Sequence, residues 1–422
     1  MKMGGNTKKL FMVFIVLSFG SFLLWLYLFC GNVEGSQKAV FFGDSHDWFM
    51  DWFNVVYYSI GKKPYIWGLT EERSLPPLTF LLLYPFTKLY GYDVTGWAEN
   101  ESRYEARYSQ LPMDMFLMVM VLSYLLLFYA LNKSSHLADI RKAILFGVLF
   151  LSGVNFFCID RGNLQVITAA AIFLYIYLCY DEKGSADGMQ YKTVIGCVSL
   201  AFAADIKLFP AIMGVLLLYR KKWKSAILAF VLGMAGFLLP FLWMEQPFFE
   251  AMASFIKTAE EHASSYLTIA EFGFSTPMII GFTGLSHGVL QVAAYVAFVV
   301  SLATAWSLRS YWKQIMLLTL TLVMTSGQQG YYCLMFFFLP IVLFFNEEHG
   351  WKDIFYVLCF VLMLTPVQRS VYVGDVLVTM RDVINIVLIV LYIELLVEAA
   401  RGAVRDRIDR DAGRTGVAGH NG

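Results

Sequence analysis

Twelve apolar runs, separated by charged or turn-forming residues, dominate this chain of 422 residues. They cover 10–29, 113–131, 142–158, 164–180, 193–206, 208–219, 225–244, 288–307, 314–326, 331–345, 353–370 and 382–399. Runs of this kind read as membrane-crossing helices, because crossing the hydrocarbon layer takes about 20 apolar residues. The composition agrees. The chain is 58% hydrophobic and only 15% charged, where a soluble domain carries roughly 25% charged residues. At a mean hydropathy of +0.60, the excess apolar surface cannot be hidden in a soluble core. The expected fold class is therefore all-α and integral to the membrane: a polytopic bundle of about twelve transmembrane helices with a large extracytoplasmic first loop. The aromatic content, 17%, suits interfacial belts and a site that stacks on sugars or lipids.

The basic stretch Met1 to Lys9 and the run from Leu10 to Phe29 have the outline of a signal peptide. The run is about 20 residues long and lacks a small-residue cleavage site, so it reads as a retained first helix. A further apolar segment, 76–92, is interrupted by Pro76, Pro77 and Pro85, and either spans or dips into the surface. Basic clusters lie at Lys2/Lys8/Lys9, Lys133/Arg141/Lys142, Arg220/Lys221/Lys222/Lys224, Arg309/Lys313 and along the tail from Arg401 to Arg414. All can be cytoplasmic together if 76–92 does not fully cross. The expectation is a multi-pass plasma-membrane protein with both termini cytoplasmic. Residues 1–400 form one domain, with outer loops at 30–111 and 245–287, and 401–422 form a disordered cytoplasmic tail.

Net charge is zero, which gives no electrostatic basis for nucleic-acid binding. The six cysteines lie in or beside apolar runs at no metal-ligand spacing and read as free thiols packed among helices. Glu260, Glu261 and His262 read as a solvated face.

Candidate chemistry falls in the outer segments. Read as a helix, Gly43 to Asn54 puts Asp44, Asp47 and Asp51 on one face, flanked by Trp48, Phe49, Trp52 and Phe53. Such a helix would lie in the interface with its aromatics among the headgroups. Its acids are then either functional or merely solvated. Asp160-Arg161-Gly162-Asn163 and Asp205-Ile206-Lys207 sit between apolar runs, where charges are costly and usually functional. Arg161 and Lys207 either converge on one anion, with phosphate the natural candidate, or serve as snorkelling cations paired with their adjacent acids. Ser326 to Tyr332 carries Gln328, Gln329 and Tyr331, which either hold a sugar or satisfy the turn's own backbone.

In this order the pieces resemble the GT-C superfold of polytopic glycosyltransferases, and most nearly family 87, the group containing polyprenyl-phosphate-mannose-dependent mannosyltransferases. The likeness rests on the acidic first loop running from Asp47 to Gly61…Pro64-Tyr65, on Leu75-Pro76-Pro77-Leu78 with Pro85, and on Arg161-Gly162-Asn163. It rests further on Lys207-Leu208-Phe209-Pro210 with Tyr219 to Trp223, and on Ser326 to Tyr332 leading to Pro340. It covers roughly residues 10–345. The chain departs from the family pattern where Gln328-Gln329-Gly330-Tyr331 stands in place of a turn that often carries Trp and His. The first proline pair also follows leucine rather than tyrosine.

The resemblance implies a polyprenyl-phosphate sugar donor, mannose by default, and a lipid or glycan acceptor at the extracytoplasmic face. It implies an inverting transfer with Asp47 as general base and Asp51 as the second choice. Arg161 and Lys207 would hold the phosphate, while Asp44, Asn163, Gln328, Gln329 and Tyr331 would contact substrate. No cofactor is demanded, although paired carboxylates are compatible with a divalent ion. Two other functions remain open on the residues alone: a transporter or flippase of lipid-linked sugars, and a polymerase or ligase of lipid-linked glycans.

Overall fold

The computed structural model describes residues 3–31, 41–42, 46–65, 74–89, 105–180, 190–265, 272–325, 330–373 and 376–418. In chain order the helices are α1 (Gly5–Cys30), α2 (Met50–Tyr58), α3 (Pro77–Leu89), α4 (Gln110–Ser134), α5 (Asp139–Phe150), α6 (Gly153–Arg161), α7 (Gln165–Tyr175) and α8 (Tyr191–Ile206). A 3-10 segment, Phe209–Gly214, leads into α9 (Val215–Tyr219). Then follow α10 (Trp223–Leu238), α11 (Phe248–Ser265), α12 (Pro277–Thr283), α13 (His287–Thr304) and α14 (Tyr311–Thr325). A second 3-10 segment, Tyr331–Phe337, precedes α15 (Phe338–Phe344), and α16 (Ile354–Leu364) and α17 (Met380–Ala418) complete the series.

One antiparallel hairpin, β1 (Ser370–Val373) with β2 (Val376–Thr379), stands outside the all-α expectation, in register from Ser370↔Thr379 to Val373↔Val376. Alternating valines on either side of Gly374-Asp375 explain it, since such a pair between β-branched runs is a hairpin signal.

Among the described residues, five helices are long and apolar enough to cross a membrane: Gly5–Cys30, Gln110–Ser134, Trp223–Trp243, His287–Ser307 and Met380–Arg405. The pair α5–α6, bent by 57°, makes a sixth if taken as one span. Shorter apolar helices lie at Gln165–Cys179, Phe209–Tyr219 and Tyr331–Phe344. The twelve apolar runs of the sequence thus divide into full-length helices and shorter, broken ones. At the α5–α6 bend the break has a local cause, because the Ser152 side chain caps α6 by accepting from the Asn155 N–H. Met12, Val16, Val121, Leu125, Phe230, Val292 and Val299 are exposed on the long helices. Such faces are unfavourable in water and satisfied in hydrocarbon.

The described part of segment 76–92, residues 76–89, carries α3. At 13 residues it is about 20 Å long, short of the roughly 30 Å hydrocarbon core. Its first turn rests on the end of α8, where Thr79 donates to the Ile206 carbonyl at 3.1 Å. The proline pair starts the helix as expected, with Pro77 its first residue. α17 continues into the stretch assigned to a disordered tail; that stretch contains no proline to stop it.

The bundle has two distinct ends. At one end α1, α4 and α15 meet: Thr7 accepts from the His349 N–H, Asn346 donates to the Ser134 carbonyl, and Phe11 packs edge-on against Phe345. Lys142 and Lys313 also lie there, the latter paired with Glu398 at 2.6 Å. The opposite end gathers α2, α3, the end of α6, the start of α7 and the end of α8.

Close helix contact depends on small residues, as membrane packing requires. α8 meets α10 at Gly236, where an added Cβ would overlap the Asp205 carboxylate. Gly236→Ala is therefore expected to cost about 1–3 kcal/mol through overpacking, seen as a lower unfolding midpoint in detergent. An unchanged midpoint would contradict this contact.

Candidate active site

The site starts from how α6 ends. Gly162 adopts φ 64 and closes the helix, with its N–H on the Ile159 carbonyl and the Asn163 N–H on the Cys158 carbonyl, both at 3.1 Å. This left-handed cap favours glycine. Space favours it as well, because a Cβ here would stand 3.0 Å from Phe49 Cα and 3.1 Å from the Phe116 ring. The cap turns Arg161 and Asn163 toward the first loop. Asn163 Oδ1 accepts from the Gln165 N–H at 2.8 Å and so helps to start α7.

The first loop meets this turn through its backbone. The Phe49 N–H donates to the Asp160 carbonyl at 2.7 Å. Arg107 donates to the carbonyls of His46 and Trp48 at 2.9 and 3.0 Å. Phe49 takes φ 62, a conformation costing a bulky residue roughly 1–2 kcal/mol. It persists because the two backbone anchors and the Phe116 ring, 5.0 Å away, hold it. Strain of this kind collects at functional sites.

This geometry corrects two expectations. Residues 46–49 form a turn, and α2 starts only at Met50, so Asp47 and Asp51 do not share a helix face. Trp52 and Phe53 are buried against Phe116 rather than set among headgroups. The aromatic surface of Phe116 draws the helix inward. The left-handed turn at Phe49 brings the two carboxylates together by a different route.

They meet on Arg161. Its Nη1 lies 2.5 Å from Asp47 Oδ2. Its Nε and Nη2 lie 3.0 and 2.8 Å from Asp51 Oδ1. Asn163 Nδ2 donates to Asp51 Oδ2 at 2.5 Å. Lys207, in the turn after α8, donates to Asn163 Oδ1 at 3.1 Å and to Gln165 Oε1 at 3.0 Å. Its ammonium also lies 4.4 Å from the Tyr332 ring centre. A continuous chain therefore runs Lys207–Asn163–Asp51–Arg161–Asp47, and each donor–acceptor link fixes the orientation of the next.

Exposure rises along that chain. Lys207 is 7% exposed, the Asp51 side chain 15%, Arg161 23% and Asp47 56%. Burial pushes the Lys207 ammonium down to about 8, opposed by the Asp51 carboxylate. The two cations balance the two carboxylates, and the open end of the network presents Asp47 to solvent.

Asp47, Asp51, Arg161, Asn163 and Lys207 are thus brought together, and neither cation pairs with the acid beside it in sequence. Asp44, Gln328 and Gln329 lie outside the described residues. Tyr331 is not at the network: it is fully buried, and its hydroxyl donates to the Thr365 carbonyl at 2.9 Å. Its neighbour Tyr332 faces Lys207 instead. Sequence reading missed Tyr332, Gln165 and Arg107. Adjacent tyrosines give no sign of which one turns inward, and Gln165 looks like any polar first-turn residue. Among the described residues, no group of three or more His, Cys, Asp or Glu side chains is placed to hold a metal ion.

A helical membrane bundle with a connected acid–base network at one end defines a membrane-embedded enzyme class. The family model of glycosyltransferase family 87 matches residues 76–335, more than half of the chain. The chain belongs to glycosyltransferase family 87. No curated protein and no solved structure matches it. The matched stretch contains Arg161, Asn163, Gln165, Lys207 and Tyr332, and Asp47 and Asp51 lie before it.

Gly162→Val tests the cap. Strain at a positive φ and collision with Phe49 are expected to cost about 2–3 kcal/mol and to abolish transfer in whatever protein stays folded. A stable, active variant would show that the α6 cap does not build the site.

Proposed function

We propose that the chain transfers a sugar, mannose as the first candidate, from a polyprenyl-phosphate donor to a lipid- or envelope-linked hydroxyl. The reaction takes place at the extracytoplasmic face of the plasma membrane and inverts the anomeric centre. Family membership supports sugar transfer. The observation that carries the finer reading is Arg161 bridging Asp47 and Asp51 at one end of an apolar bundle. Lysines that the positive-inside rule assigns to the cytoplasm gather at the other end. Taken as crossings, the five long helices, the bent α5–α6 pair and the three shorter apolar helices, together with α8, α14 and α16, give twelve passes, which returns both termini to the cytoplasmic side.

Asp47 is the base. It is the most exposed acid of the network and has an oxygen available to an incoming hydroxyl, which it must approach to about 3 Å. Asp51 accepts from Arg161 and Asn163 through both oxygens, which suits a positioning role. In the reaction the acceptor oxygen bonds to the anomeric carbon and its proton passes to Asp47. The bond from that carbon to the donor phosphate breaks, with the electron pair leaving on phosphate. Lys207 holds Asn163 so that its amide N–H₂, rather than its carbonyl, faces Asp51.

The test is transfer of labelled sugar from polyprenyl-phosphate-mannose to membrane lipids by purified, reconstituted protein, with Asp47→Asn beside it. The expected outcome is labelled product from the native chain and a loss of about 100-fold or more in the variant. Full activity in correctly inserted Asp47→Asn would refute the base assignment. Absence of transfer from every polyprenyl-phosphate sugar tried would refute the donor class and favour transport or polymerisation.

A further inference from the structure

A second group of charges stands apart from the acid–base network, in the turn that follows α2. Gly61 and Lys62 take φ 69 and φ 54, two left-handed residues in succession. For lysine this conformation is strained, and such strain collects at functional sites. The turn is held from outside: the Glu245 N–H donates to the Lys62 carbonyl at 3.3 Å, and the Lys63 ammonium pairs with the Glu245 carboxylate at 2.9 Å. Lys63 thus has its acid, whereas Lys62 is directed at rings.

The Lys62 ammonium lies 5.6 Å from the centre of the Tyr84 ring and 5.8 Å from that of Trp243, two rings that meet edge to face at 4.9 Å. Lys88, in the last turn of α3, brings a second ammonium to 5.7 Å from the Tyr84 centre. Among the described residues, neither Lys62 nor Lys88 has a carboxylate partner. Two like charges drawn to one ring repel each other, and an anion between them removes that repulsion.

The surroundings say which anion. Trp243 closes the apolar helix Trp223–Trp243, 21 residues long, whose other end follows Lys222. That length crosses the hydrocarbon core, so the Tyr84–Trp243 corner sits at the opposite rim, at the depth where Trp and Tyr collect. Leu82 and Leu89, on the element that carries Tyr84, and Leu239 and Leu242, on the one that carries Trp243, are exposed. They form an apolar face that suits acyl chains. Lysines near a membrane surface attract anionic headgroups.

We propose that Lys62 and Lys88 hold the phosphate of an anionic phospholipid in the outer leaflet, with its chains on these leucines. Lys62 follows the end of α2 remote from Asp51, which sets this lipid apart from the one that reacts. The proposal rests on the membrane orientation given above and not on the donor class. The bound lipid ties the turn after α2 to the end of α3.

The experiment measures binding of fluorescent phosphatidylglycerol to the purified full chain in detergent, with phosphatidylcholine and sugar-free decaprenyl phosphate as competitors. The native protein, Lys62→Gln, Lys88→Gln, the double variant and Lys257→Gln are compared, each checked for its unfolding midpoint. Lys257, an exposed lysine on α11, controls for net charge. The native chain is expected to bind saturably and to resist phosphatidylcholine. Each single variant should bind about fivefold more weakly and the double variant at least tenfold. Lys257→Gln should bind within about twofold of native.

Binding by the folded double variant within twofold of native overturns the assignment. Should that variant not fold, native-like affinity in both single variants overturns it. Displacement by phosphatidylcholine as strong as by unlabelled phosphatidylglycerol would show that the anionic headgroup is not what is recognised. Displacement by decaprenyl phosphate at a tenth of the phosphatidylglycerol concentration would give the corner to the donor lipid and overturn the phospholipid assignment. No saturable binding by the native chain overturns the site. None of these readings uses sugar transfer, so failure of the donor class leaves the test intact.

Discussion

The structure at the active end depends on one guanidinium facing two carboxylates. Arg161 carries three of its nitrogens to Asp47 and Asp51, and without those acids its charge would stand half-buried at the end of a membrane helix. Without Arg161, the two acids would face each other with their charges uncompensated, which is costly at low dielectric. The interaction also joins sequence-distant parts, because the first loop and the α6–α7 turn are 110 residues apart. Asn163 and Lys207 extend the tie to α8, so the α6–α7 turn, the α8 end and the first loop are held to one geometry.

That geometry suits chemistry at a membrane rim. Preorganised charges stabilise developing charge without having to reorient during the reaction. Strain at Phe49, close packing at Gly162 and backbone anchors from Asp160 and Arg107 all keep the turn at Asp47 in place. The open end of the network is the exposed Asp47 carboxylate, which fits the base proposed above, and the apolar faces of the long helices below it fit the lipid-borne donor proposed with it.

Much of this was legible in the sequence. The apolar runs gave the helical membrane class, and the charges placed between them at Arg161 and Lys207, costly there, do come together in one network. The acids of the first loop stood out for the same reason. Other features are tertiary. Nothing local says that α2 starts at Met50; the left-handed Phe49 turn exists because Asp160 and Arg107 hold it. Nothing local buries Trp52 and Phe53; Phe116, more than 60 residues away, does so. The choice between Tyr331 and Tyr332 was set by Thr365 and Lys207, which no spacing rule connects. The β1–β2 hairpin did carry its signal, alternating valines about Gly374-Asp375, inside a stretch too short to separate from a plain turn.

The measurement closest to the central claim is a double-mutant cycle in kcat/KM for sugar transfer, using Arg161→Lys, Asp51→Asn and the double variant. If Arg161 and Asp51 act as one unit that positions Asp47, each single change removes most of that unit. The double variant should then lose little more than the worse single, giving a coupling of about 1–3 kcal/mol. Losses that simply add, with the two residues contributing independently, would contradict an active end built around this one ion pair.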